Sequence, residues 1–304
     1  MKHIRNKAPH GQSAWETSPS FKLKRKKQVD RVEQKKEKEV ISVSRTTMLI
    51  NDFESMMTTS YDFDKKIFYN DWRWRVLEEL YNKNFLHPKG QLNYSKMPRK
   101  IHQIWLGGIM PSQYQKYADT WKRYNPYWEY KLWTDKDVDD VDMPNRDLFN
   151  SISNNGQKSD FLRYHILNQF GGLYIDTDFE CVKSFDTLSY ADFLVGIGYP
   201  SNVELYIGLL GCSPNHPIME EVIKSMNEIK EKGWREIFET TGTYFFTRNF
   251  FKVVSEYKEG IIALPPDFFY PFPNTGGHER RNGINYIKDC SYAVHHWAVS
   301  WSQK

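Results

Sequence analysis

The chain has 304 residues, 39% apolar and 16% aromatic, enough for a substantial core, which excludes disorder throughout its length. Its net charge of +4 is unevenly placed: Met1–Val40 holds twelve Lys/Arg against five Asp/Glu, a balance of +7, and the remainder sums to −3. No run of eighteen apolar residues exists and the first residues lack a signal-peptide core, so the expectation is a cytoplasmic chain, soluble or held peripherally at a membrane.

In chain order, residues 1–60 form a basic arm expected to be flexible, because Phe21–Val40 has neither interleaved aromatics nor a sustained apolar heptad. Clustered Lys and Arg are drawn to anionic lipid, so peripheral membrane contact is the partner the arm suggests; nucleic acid fits it less well. Within an accessory segment at 61–96, the spacing of Phe68, Trp72, Val76 and Leu80 predicts a helix over Lys66–Asn82 that packs on the main domain. A larger domain is expected over 97–304. It opens with a strand at Ile101–Leu106, β-branched and aromatic and closed by Gly107 and Gly108, in which His102 is expected to be a satisfied core histidine.

A helix near Gln113–Tyr124 and a strand at Trp128–Trp133 follow, an order that implies two parallel strands joined by a right-handed crossover. Pro144–Ser153 is expected to hold a short helix and Asn154–Lys158 a loop. Further strands are expected at Phe193–Ile197, Leu205–Leu210, Ile261–Leu264 and Ala293–Trp297, with helices at Ile218–Lys230 and Tyr244–Tyr257. Alternating strands and helices give an α/β sandwich. Cys181, Cys212 and Cys290 are odd in number and widely spaced, the pattern of reduced core thiols and not of a disulfide framework or zinc cluster.

The most informative stretch is Ser159–Asp178, SDFLRYHILNQFGGLYIDTD. Ser159 suits an N-cap and Asp160 the positive end of a helix over about Asp160–Phe170, with Leu162, Ile166, Leu167 and Phe170 as its apolar stripe. Gly171 and Gly172 end it and turn the chain into a strand. In extended chain Tyr174, Asp176 and Asp178 point to one side, so two carboxylates converge at a cost in repulsion that a cation would offset. Oxygen ligands suit Mg²⁺ or Mn²⁺, and acids at the carboxyl end of a strand stand where open α/β sheets bind ligands. The plain alternative is a solvated turn after a buried strand.

Three separated motifs carry a resemblance: MPRKIHQIWLGG at Met97–Gly108, the Ser159–Asp178 stretch, and YAVHHWAVSW at Tyr292–Trp301. Over about Met97–Trp301 the chain resembles the DXD-motif glycosyltransferases of family 32, the Och1-like and capsular polysaccharide synthesis transferases, and more distantly the clostridial glucosylating toxins. The resemblance implies a GT-A fold, a Rossmann-like mixed sheet flanked by helices, as a catalytic domain over 97–304. It implies a metal-dependent, retaining transferase using Mn²⁺ or Mg²⁺, which moves a hexose from a nucleotide sugar to a hydroxyl of a glycan or glycolipid. A UDP-sugar is favoured over GDP-mannose. The competing readings are a protein side chain as acceptor, and a non-catalytic nucleotide- or nucleic-acid-binding protein.

The resemblance also assigns roles. Asp178 would bind the metal directly and Asp176 the ribose or the metal, the two forming the catalytic pair. Trp105 would stack on the base, although a tryptophan in a strand is commonly core. Asp160 and Arg163 would hold sugar hydroxyls, unless they form an ordinary surface ion pair; Ser159 and Tyr174 would add donor contacts. His295 and His296 face opposite ways in a strand, so one is expected to reach the metal, with His296 the choice. Ser300 and Trp301 would close over the diphosphate. Thr240–Thr247 would begin a helix beside an acceptor cleft, and Glu204 and Tyr206 would shape a donor or acceptor pocket.

Overall fold

A computed structural model describes residues 52–58, 70–88, 96–198, 203–229, 237–272, 274 and 286–298. The chain divides into two units, Met1–Thr47 and Met48–Lys304, and every described residue belongs to the second. The basic run Phe21–Val40, Ser300 and Trp301 lie outside the described residues.

Two helical pieces precede the sheet, α1 (Phe53–Thr58) and α2 (Trp72–Leu80), the latter running on into a π-helical turn at Tyr81–Leu86. Asp71 caps α2 by accepting from the Arg73 backbone N–H at 3.0 Å. The inward face differs from the expected one: Trp74, Leu77 and Leu80 are buried, whereas Trp72 is 56% exposed. Trp74, Leu77, Leu80, Tyr81 and Phe85 join the same core as the sheet, so this segment packs on it.

The sheet is built from β1 (Lys100–Ile104), β2 (Glu129–Trp133), β3 (Gly172–Ile175), β5 (Phe193–Ile197), β6 (Leu205–Cys212) and β7 (Ile261–Leu264), with β4 (Phe179–Cys181) and β8 (Ala293–His295) forming a separate pair. Its order is β2-β1-β3-β6-β5-β7, and β6 alone runs antiparallel to its neighbours. The helices are α3 (Ser112–Tyr124), α4 (Arg146–Asn150), α5 (Asn155–Phe170), α6 (Pro217–Met226), α7 (Ile237–Thr240) and α8 (Thr243–Val254). The expected parallel pair β1–α3–β2 is present. Mixed α/β architecture is therefore what the alternation of patterns predicted. Among the described residues no helix is long and apolar enough to cross a membrane.

Helix α5 starts earlier than expected, which moves two residues. Asn154 is its N-cap, its side chain accepting from Gln157 N–H, so Asn154–Lys158 is cap and first turn, not loop. Ser159 consequently lies inside the helix, its hydroxyl donating to the Asn155 carbonyl at 2.9 Å. The stripe is also broader than predicted: nine residues from Gln157 to Leu167 are buried, because α5 is covered on all sides. Gly171, at φ 58°, ends it.

Candidate active site

The carboxyl ends of β1 and β3 share one edge of the sheet, and the signature residues collect there. Strand β3 stops at Ile175, so Asp176, Thr177 and Asp178 form a turn into β4 instead of continuing in extended chain. The two carboxylates nevertheless converge. Asp176 is tied to the sheet at both backbone groups: its N–H donates to Gly208 O at 2.8 Å, and its carbonyl accepts from Gln103 Nε2 at 3.2 Å. Gly208 is needed there, since a Cβ would lie 2.9 Å from Asp176 Oδ2 and 3.0 Å from the Phe179 ring.

Asp160 and Arg163 lie on one side of α5 and form a buried pair at 2.7 Å, not a surface one, with side-chain exposures of 10% and 5%. Arg163 reaches on to Asp176 Oδ1 at 3.2 Å, donates to the Ile207 carbonyl at 2.7 Å, and lies over the Tyr174 ring. Tyr174 donates its hydroxyl to Asp176 Oδ1 at 2.7 Å. Asp160 also accepts from Thr241 Oγ1 at 3.1 Å, which brings the Thr240–Thr247 segment to the site through its second residue. Arg163 is thus mainly an organiser of two carboxylates.

The closing run supplies the other side. His295, in register with Phe179 across β8 and β4, places Nε2 3.1 Å from Asp178 Oδ1, and Ala298 N–H donates to Asp178 Oδ2 at 2.7 Å. His296, the histidine expected to reach the metal, turns instead to Glu180 Oε2 at 3.1 Å and stacks on Tyr117 at 4.4 Å. The strand ends at His295, and Trp297 takes φ 52°. Pairing parity decides the matter, because the residue opposite Phe179 shares its face of the small sheet, and that residue is His295. Sequence alone could not supply the register of two strands more than a hundred residues apart.

Asp176, Asp178 and His295 each offer a ligand atom, and these atoms all lie within 4.8 Å of one another. Two carboxylates and an imidazole are a donor set acceptable to Mn²⁺. The His295 Nδ1 is buried without a hydrogen-bond partner among the described residues, so the imidazole has unspent capacity. These residues fit a divalent cation.

Burial drives the Asp176 carboxyl above the ordinary aspartate range, with Arg163 opposing and Asp178 adding to the rise. Burial pushes Asp178 the same way, but His295 and the Ala298 N–H outweigh it and hold the carboxyl down at about 2. Burial also raises Asp160 to about 6 despite Arg163. Two adjacent carboxyls are thereby pushed apart in acidity, with Asp178 the firmly ionised one.

Trp105 lies just past β1, half-buried, with its N–H on the Trp133 carbonyl at 2.8 Å and its ring against Tyr114 at 5.0 Å. It belongs to the same edge but touches none of the carboxylates. His102 is a satisfied core histidine, between the Trp133 indole N–H at 3.1 Å and Gly171 O at 2.9 Å. Cys181 is a buried free thiol pushed up to about 12 by burial, which removes it as a nucleophile. Gln103, Thr241 and Ala298 N–H enter the site from the three stretches singled out at Met97–Gly108, Thr240–Thr247 and Tyr292–Trp301, although none of these three residues was expected to have a role of its own.

Residues 111–194 match the family model described as glycosyltransferase sugar-binding region containing DXD motif. That match takes in the helix and turn that carry Asp160, Arg163, Asp176 and Asp178, a little over a quarter of the chain. The chain is 28% identical over 195 residues to inositol phosphoceramide mannosyltransferase 1 of Schizosaccharomyces pombe, covering 59% of this chain and 59% of that protein. It is 28% identical over 220 residues to an uncharacterized glycosyltransferase of Acanthamoeba polyphaga mimivirus, covering 68% and 84%. Mannosyl phosphorylinositol ceramide synthase CSH1 of Saccharomyces cerevisiae is 30% identical over 175 residues, covering 55% and 45%. The chain thus spans only about half the length of the two yeast proteins. The solved PaToxG glycosyltransferase is similar at 16% identity and a TM-score of 0.44, over 51% of this chain and 68% of that one. With β6 antiparallel in an otherwise parallel sheet, and a small second sheet beside the DTD turn, the chain has the mixed α/β sheet flanked by helices that was expected.

Proposed function

We propose that the protein is a metal-dependent, retaining glycosyltransferase that moves a hexose from a nucleotide sugar to a hydroxyl of a glycolipid. The observation that carries this reading is the convergence of Asp176, Asp178 and His295 at the sheet edge, backed by the buried Asp160–Arg163 pair. A bound Mn²⁺ or Mg²⁺ would neutralise the diphosphate of the donor. Asp178, ionised at any physiological pH, and His295 would hold the cation, with Asp176 completing the set or meeting the ribose. Arg163 fixes Asp160 and Asp176 in place, leaving Asp160 at the floor of the site to accept from a sugar hydroxyl. Trp105 would offer its ring to the base, and Ser300 and Trp301 would contact the diphosphate.

A glycolipid acceptor is favoured by the names of relatives, which include inositol phosphoceramide mannosyltransferases and a lactosylceramide galactosyltransferase. Those names also put mannose beside the UDP-hexoses as a donor sugar. The test is nucleotide release with Mn²⁺ and each of UDP-glucose, UDP-galactose and GDP-mannose; no turnover with any of them sinks the reading. Asp178→Asn is expected to abolish release while leaving the melting temperature nearly unchanged. Loss of folding instead would assign Asp178 to structure.

A further inference from the structure

Beside the donor site the molecule has a cavity of about 1030 Å³ whose lining includes Trp72, Arg73, Glu204, Tyr244, Arg248 and Lys252. Two of its walls begin at the donor site. One is the loop leading into β6, in which Glu204 stands four residues before Gly208, the acceptor of the Asp176 N–H, or roughly 13 Å along extended chain. The other is α8, which starts two residues after Thr241, the residue bonded to Asp160.

Along α8 the residues Tyr244, Arg248 and Lys252 recur every four positions, so they share one face and lead away from the donor site in steps of about 6 Å. Their chemistry changes in that order. Nearest the donor, the Tyr244 hydroxyl and Glu204 carboxylate both line the cavity and offer the donor and acceptor that polyol hydroxyls require. Next comes Arg248, exposed, with no hydrogen bond or ion pair among the described residues and only a ring contact to Phe245 at 5.8 Å. Lys252 follows, held by Glu221 at 3.1 Å, and Arg73 is paired with Asp71. At the rim Trp72 is 56% exposed and packs edge-on against Phe251 at 5.5 Å. An exposed indole beside cations is suited to the boundary between headgroups and acyl chains.

We infer that this cavity is the acceptor subsite and that it binds a phosphate ester on a polyol headgroup, with Arg248 gripping the phosphate and Glu204 and Tyr244 meeting the hydroxyls. The acceptor role rests on the glycosyltransferase reading. An arginine fork without an internal partner matches phosphate oxygens in pairs, and Lys252 one turn on adds a second cation.

The experiment uses the full chain and soluble glycerophosphoinositol, with binding followed by calorimetry and inorganic phosphate as competitor. Arg248→Ala is expected to weaken binding about tenfold and Arg248→Lys about threefold, because a lysine keeps the charge but not the fork. Unchanged binding in Arg248→Ala would overturn the site. Equal displacement by inorganic phosphate would give the cavity to free phosphate and overturn the headgroup assignment. Donor hydrolysis without acceptor is measured beside it and is expected at the wild-type rate in Arg248→Ala; a parallel fall would overturn the assignment as damage to the donor site. Wild-type chain that binds glycerophosphoinositol yet hydrolyses no donor would sink the transferase reading and the acceptor role with it, leaving the headgroup site standing.

Discussion

The two ends of the four-residue strand β3 both bury polar groups, yet they are built on opposite terms. At the amino end His102 has both ring nitrogens engaged, by Trp133 and Gly171, and Gly172 sits at φ 93° with its missing Cβ only 2.6 Å from the Lys100 carbonyl. Both ring nitrogens of His102 are used there, although a cavity of about 320 Å³ opens beside it. At the carboxyl end Asp160, Arg163 and Asp178 are buried and Asp176 and His295 half-buried, all as charged or chargeable groups, and the His295 Nδ1 has no hydrogen-bond partner among the described residues. Burial therefore does not distinguish a site from a core; unspent valence among buried charges does.

The strongest way to break this contrast is to remove the cation from one end and the imidazole from the other. Arg163→Met leaves buried Asp160 and half-buried Asp176 without their shared partner and is expected to cost about 3–5 kcal/mol in urea unfolding. His102→Leu strands an indole N–H and a carbonyl and is expected to cost about 1–3 kcal/mol. Equal losses would mean that the carboxyl end is held by ordinary polar contacts and not by charge pairing.

Acid sharpens the same comparison, with a smaller effect and opposite signs at the two ends. Burial lowers His102 to about 4 from the ordinary histidine value of 6.5. Between those values the unfolded chain binds the proton and the folded chain resists it, so stability falls as pH drops from about 6.5 to 4, by about 3 kcal/mol at most. Asp160 is raised to about 6 from 3.8, so its contribution becomes more favourable as pH falls through that range. In pH-dependent unfolding, His102→Leu is expected to flatten the acid loss and Asp160→Asn to steepen it. The reverse pattern would show that the two ends had been assigned the wrong protonation states.

How much of this was legible in the sequence follows the range of the interactions. The strands and helices of the main domain were readable because periodicity and turn chemistry act locally; their boundaries moved by a few residues, most at α5, where Asn154 and not Ser159 supplies the cap. The Asp160–Arg163 pairing was readable because three residues is a helical neighbour distance. Burial of that pair was not, since it depends on β6 and on Thr241 arriving from elsewhere. The Trp72 face was misjudged for the same reason: helical spacing shows that a stripe exists, and only the partner decides which stripe is inward.

The adjacent histidines give the finest test, because they differ in nothing local: same residue, same segment, neighbouring positions. What separates them is the register of β8 on β4, which sets His295 against Asp178 and His296 against Glu180. If the Asp176–Asp178–His295 cluster holds the cation, His295→Gln is expected to weaken Mn²⁺ binding about 10- to 100-fold in a paramagnetic titration. His296→Gln is expected to stay within about twofold, since its ring serves Glu180 and Tyr117 and has no path to the carboxylates. The Asp178 backbone carbonyl accepts from His296 N–H at 3.0 Å, a bond that glutamine preserves, so any larger loss in His296→Gln would have to come through the side chain. Such a loss would mean that the small sheet shifts register when the cation binds, and the unspent valence at this end of β3 would then belong to a different arrangement of the same two strands.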